Sequence, residues 1–169
     1  MNALKKEEEI YGLFLQEKPA KILVCLKKEN KQIYTTIIAK EVNATYAHTF
    51  NVLKKMKKLN LVSFMESGRI KLVKLTELGE EVAKTIINLA DLLKIGSLEN
   101  ELFKIYEIEI KGKLREQMNK ESISKQLNKL KQKLTELSEN SSQNVAIFSK
   151  KVLKKVDETL AEVFGYPPG

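Results

Sequence analysis

The sequence predicts a mainly α-helical chain with one small β-hairpin, arranged as a compact N-terminal half followed by a C-terminal helical hairpin. Three observations carry that expectation. Between Pro19 and Leu59, apolar residues recur at helical spacing in short runs separated by polar turns. From Leu61 to Lys74 the texture changes to two β-compatible runs about the turn Ser67-Gly68-Arg69. Beyond residue 120, Ile123, Leu127, Leu130, Leu134 and Leu137 step by four, three, four and three, which is a heptad seam.

A chain of 169 residues, 43% apolar and 31% charged, can bury a core but cannot hold two large domains. No run approaches the roughly 18 apolar residues of a membrane span. Met1 to Ile10 carries Lys5, Lys6, Glu7, Glu8 and Glu9 where a signal peptide is apolar, so a cytoplasmic protein without a membrane partner is expected. Cys25 is the only cysteine and His48 the only histidine, which excludes an intramolecular disulfide and a cysteine zinc cluster. Neither a nucleophile and base pair nor a glycine-rich phosphate loop is recognisable, so no enzyme, no metal and no cofactor is expected. Cys25 is assigned to the core of the first helix.

The net charge is +8, and it is unevenly spread. Residues 1–16 carry a net −1, residues 17–94 a net +7 and residues 95–169 a net +2. Within the middle segment, Thr35 to Lys74 holds eight basic residues against Glu41 and Glu66. A lysine-rich solvated surface is the plain reading; a surface for an acidic partner is the other.

Taken in order, Leu4, Ile10, Tyr11, Leu13, Phe14 and Leu15 fit a short leading helix over residues 3–15. Pro19 suits the start of a helix over 19–28 with Ile22, Leu23 and Leu26 on its apolar face. After the brief apolar patch Ile33-Tyr34, Thr35 or Thr36 can cap a helix bearing Ile37, Ile38, Ala39 and Val42. Thr45 is suited to cap the next helix, in which Phe50, Leu53, Met56 and Leu59 recur. Two helices so tightly joined form a helix-turn-helix. The face left over on the second comprises Tyr46, Ala47, His48, Asn51, Lys54, Lys55 and Lys58, which are hydrogen-bonding, aromatic or basic. The β-hairpin follows, and Thr76 caps a helix expected to run to Gly96. Past the heptad seam, Asn140-Ser141-Ser142-Gln143 makes a turn into a second amphipathic helix carrying Val145, Phe148, Val152, Val156, Leu160 and Val163.

The helix Thr36 to Val42, the string Thr45 to Leu59, the strand entry Asn60-Leu61-Val62, the Ser67-Gly68-Arg69 turn and Leu75-Thr76-Glu77-Leu78-Gly79 together resemble a winged helix-turn-helix domain of MarR-like prokaryotic transcription regulators, archaeal ones among them. The resemblance divides the chain into an N-terminal arm (1–16), a winged domain (17–95) and a C-terminal helical hairpin (96–169). It implies a sequence-specific regulator on double-stranded DNA, with helix 45–59 in the major groove and the wing, Ser67, Gly68 and Arg69, at the adjacent minor groove. Thr45, Tyr46, His48 and Asn51 are the expected base readers, Asn51 foremost because an amide pairs bidentately with adenine. Lys40, Lys54, Lys55, Lys58 and Lys71 are the expected phosphate contacts. One such domain covers a short half-site, so a homodimer is expected, joined through Ile123, Leu127, Leu130, Leu134, Leu137, Phe148, Val152 and Val156. The competing arrangement pairs these helices within one chain. Such families also bind small-molecule effectors, for which Phe103, Tyr106 and Leu93 form the apolar candidate, although no residue identifies a ligand. A second function class stays open: a winged-helix protein-interaction or architectural module with nonspecific or no DNA binding.

Overall fold

The computed structural model describes Gly12, residues 16–67 and residues 70–165. The leading helix expected over 3–15 and the hairpin tip at Gly68 and Arg69 therefore lie outside the described residues. The chain divides into two compact units, Met1–Ile87 and Asn88–Gly169.

The first unit contains α1 (Glu17–Glu29), β1 (Ile33–Tyr34), α2 (Thr35–Glu41), α3 (Tyr46–Lys58), β2 (Val62–Ser67), β3 (Ile70–Leu75) and the opening turns of α4 (Glu77–Ile105). Pro19 sits in the first turn of α1, where its missing N–H costs nothing. Helix α2 begins differently from expectation: its N-cap is Tyr34, without a side-chain cap, and Thr35 is already inside the helix and buried. The reason is β1, whose extended backbone at Tyr34 feeds straight into the helix. Helix α3 starts as expected, with Thr45 Oγ1 accepting a hydrogen bond from the His48 N–H at 3.2 Å.

The three strands form an antiparallel sheet in the order β1-β3-β2. Ile33 lies opposite Val73 and Tyr34 opposite Leu72, while across the hairpin Phe64 faces Val73 and Met65 faces Leu72. Ile33 and Val73 are buried, whereas Tyr34 and Met65 are exposed, so one face of the sheet covers the core and the other meets solvent. Ile22 and Leu23 of α1, Ile38 of α2, Leu53 and Met56 of α3 and Val62 of β2 close that core. Cys25 packs half-buried at its edge rather than within it.

Thr76 anchors the start of α4: its hydroxyl donates to the Asn60 carbonyl at 2.6 Å and accepts from the Gly79 N–H at 3.0 Å. The helix then runs through Gly96 to Ile105, nine residues past its expected end. A mid-helix glycine costs about 1 kcal/mol, but Ile95, Leu98, Leu102 and Ile105 keep helical spacing and are all buried, which outweighs it. The division between the two compact units falls after Ile87, inside α4.

The second unit continues with a π-helical turn (Tyr106–Ile110), a short 3-10 turn (Arg115–Gln117), α5 (Lys120–Asn140) and α6 (Gln143–Phe164). The turn widens where the Lys111 N–H donates to the Tyr106 carbonyl at 2.9 Å, five residues back. Asn119 caps α5 through its side chain, and Gly165, at φ 79°, ends α6. Between α5 and α6, Ile123, Leu127, Leu130 and Leu134 meet Val145, Val152, Val156 and Val163 in a second buried core. The heptad seam expected to join two chains is thus filled within one. Leu137 is only partly buried, and Phe148 is half exposed. A two-residue link makes the antiparallel neighbour available at a far higher effective concentration than any second copy.

A candidate nucleic-acid interface on helix α3

Helix α3 has a clean division of faces. Thr49, Val52, Leu53 and Met56 are buried, while Ala47, His48, Asn51, Lys54, Lys55 and Lys58 are exposed. Asn51 and His48 therefore stand on the outward surface beside the lysines, in the grouping the sequence suggests. Thr45 is exposed too, but its hydroxyl is engaged as the helix cap.

Tyr46 has a more particular setting. Its ring stacks parallel on Phe50, with centroids 5.9 Å apart and planes 8° from parallel. Phe50 in turn meets Phe64 of β2 edge-on at 6.0 Å. Lys54 Nζ lies 4.6 Å from the Phe50 centroid and Lys57 Nζ 5.5 Å from that of Phe64. This side of α3 is thus tied to the hairpin through a chain of three rings. Sequence reading missed Phe50 and Phe64 as part of this surface, yet the signal was present: Tyr46, Phe50 and Lys54 are spaced by four and share one helical stripe.

The turn that sets the angle between α2 and α3 is held from α1. Lys18 Nζ donates to the carbonyls of Val42 and Asn43 at 2.8 and 2.9 Å, capping the C-terminal end of α2 with a positive charge.

Lys40, Lys54, Lys55 and Lys58 are exposed, and among the described residues none of them forms an ion pair. In the second unit some lysines are paired, Lys131 with Asp157, Lys155 with Glu99, Lys94 with Asp91 and Lys111 with Glu107. Helix α3 carries four lysines and no acidic residue, whereas α5 and α6 interleave their lysines with glutamate and aspartate. Lys71 lies in β3 opposite Glu66, and Ser67 ends β2.

Elsewhere the chemistry is sparse. Burial, with Glu41 and Glu29 close by, pushes the Cys25 thiol up. Among the described residues no group of three or more His, Cys, Asp or Glu side chains could hold a metal. No described helix is long and apolar enough to cross a membrane. In the second unit, Leu93 and Phe103 are exposed while Tyr106 is partly buried and packs against the core. An open groove of about 720 Å³ lies over Leu92, Ile95, Gly96, Phe148 and Val152, rimmed by Lys151 and Lys155.

No family model matches the chain. An uncharacterized protein of Archaeoglobus fulgidus is 28% identical over 91 residues, spanning 52% of this chain and 96% of that protein. Among solved structures, AF1382 of Archaeoglobus fulgidus is 27% identical over 49% of this chain and 94% of its own, with a TM-score of 0.45. The MarR family transcriptional regulator SPO1453 of Silicibacter pomeroyi is 20% identical over 57% of this chain and 70% of its own, with a TM-score of 0.45.

Proposed function

We propose that the chain is a dimeric transcription regulator that binds double-stranded DNA sequence-specifically, with α3 in the major groove and the β2–β3 hairpin at the adjacent minor groove. The observation that carries this reading is the outward surface of α3, where Asn51 and His48 stand among lysines that have no carboxylate partner among the described residues. Asn51, and beside it His48, read base edges. Lys54, Lys55 and Lys58, with Lys40 and Lys71 from neighbouring elements, neutralise phosphates, and Arg69 enters the minor groove. In this reading the protein acts in the cytoplasm.

A dimer needs a surface other than the filled heptad seam. On α4, Leu89, Leu93 and Phe103 are 56%, 68% and 61% exposed and recur near heptad spacing with Gly96 between them. That stripe is the dimer face in this reading.

Fluorescence anisotropy of the full chain on the DNA upstream of its own gene and on random duplex, across a salt series, tests the proposal. A preference for the upstream DNA is expected, with affinity falling steeply as salt rises. Binding that is equal for both duplexes makes the protein architectural. Absence of binding supports the alternative, a protein-interaction module, for which Tyr34 and Met65 on the outer face of the sheet supply exposed apolar surface.

A further inference from the structure

The major groove offers three kinds of group to a reader: hydrogen-bond acceptors, hydrogen-bond donors, and the methyl group of thymine. The polar and cationic side chains on the outward face of α3 address the first two. The first turn of the helix adds something different, an exposed aromatic ring at Tyr46 next to the exposed methyl of Ala47. A tyrosine at this place could be a mobile side chain, but Tyr46 is not held as one. It stacks on Phe50, Phe50 is braced edge-on by Phe64 of the neighbouring strand, and the Lys54 ammonium sits 4.6 Å from the Phe50 centroid. The ring is therefore backed by Phe50, which itself meets the sheet, while 48% of the residue stays exposed.

We propose that Tyr46 is a thymine-methyl reader, a rigid apolar ledge at the leading end of α3 that packs against the C5 methyl in the major groove, with Phe50 as the residue that positions it. The proposal rests on the DNA reading of α3 and adds to it the identity of a base. An apolar ledge set in advance loses little side-chain freedom on binding, so the buried methyl contributes nearly its full value to affinity. The contact is blind to hydrogen bonding, so Tyr46 separates thymine from uracil, and cytosine from its 5-methyl form, where Asn51 and His48 cannot.

The test uses the duplex that the full chain enriches from a random pool, made once with thymine and once with every thymine replaced by uracil. The wild-type protein is expected to bind the uracil duplex about fourfold more weakly for each methyl contacted. Tyr46→Ala should bind both duplexes alike, Tyr46→Phe should keep the difference, and Phe50→Leu should shrink it, since a merely structural loss would weaken both duplexes in proportion. Equal binding of the two duplexes by the wild-type protein overturns the proposal, as does discrimination that survives in Tyr46→Ala. In those outcomes an enriched sequence still stands, and with it the DNA reading; failure to enrich any duplex removes both together.

Discussion

The backbone at Gly79 lies directly against the carbonyl of Leu61: a Cβ at residue 79 would stand 1.9 Å from that oxygen. The same carbonyl accepts the Thr76 N–H at 3.0 Å, so the start of α4 is fastened to the end of the turn leaving α3. The Leu75-Thr76-Glu77-Leu78-Gly79 string has a physical meaning, with a cap at its second residue and an obligatory gap at its fifth. Gly79→Ala should therefore destabilise the protein by at least about 1–3 kcal/mol. Gly96→Ala, with nothing within 4 Å of its added methyl and a helix on both sides, should stabilise by about 0.5–1 kcal/mol. Thermal unfolding followed by circular dichroism reads both, and a tolerated Gly79→Ala would contradict the close approach.

On α3, Asn51→Ala should reduce the preference for the enriched site over random duplex by about 1–3 kcal/mol. Lys55→Ala should weaken binding to every duplex and lower the slope of log affinity against log salt by about 0.9. If the two variants behave alike on all DNA, the division of labour between base and phosphate contacts is wrong.

Ser149 is fully buried in the second core, and its Oγ has no hydrogen-bond partner among the described residues. An unsatisfied buried hydroxyl costs about 1–3 kcal/mol. Ser149→Ala should raise the midpoint of chemical denaturation at unchanged slope. A loss of stability would mean that the hydroxyl does have a partner.

The seam and the α4 stripe can be told apart by substitution. Leu130 is wholly buried within the hairpin, so Leu130→Asn should unfold the second unit. Leu93, at 68% exposed, should tolerate Glu without loss of helicity, and in sedimentation equilibrium Leu93→Glu should shift the proposed dimer to monomer. A dimer that survives Leu93→Glu would place the interface elsewhere.

Local chemistry made much of this fold legible in the sequence. Thr45 caps a helix because its hydroxyl reaches the His48 N–H, and the buried face of α3 follows from spacing alone. The features that escaped are those set by distant partners. Two residues at Ile33 and Tyr34 are too few to alternate, and they become a strand only because Val73 and Leu72 lie opposite. Gly96 reads as a stop until the burial of Ile95, Leu98 and Leu102 is known. The heptad seam identified which residues are apolar neighbours, but a seam looks the same whether its partner belongs to the same chain or another. On α3, the grouping of Asn51 with the lysines was visible from periodicity, whereas the bracing of Tyr46 depends on Phe64, from a different element.

Helices α1, α2 and α3 each stop at an asparagine in the left-handed region, Asn30 at φ 49°, Asn43 at φ 50° and Asn60 at φ 56°. Asparagine tolerates that conformation better than other residues with a Cβ, and each bend keeps the terminal carbonyls of its helix bonded. The choice carries an ageing liability. Slow hydrolysis of an amide side chain to a carboxylate would put a negative charge at the negative end of a helix dipole. At Asn43 and Asn60 it would also erode the positive field around α3.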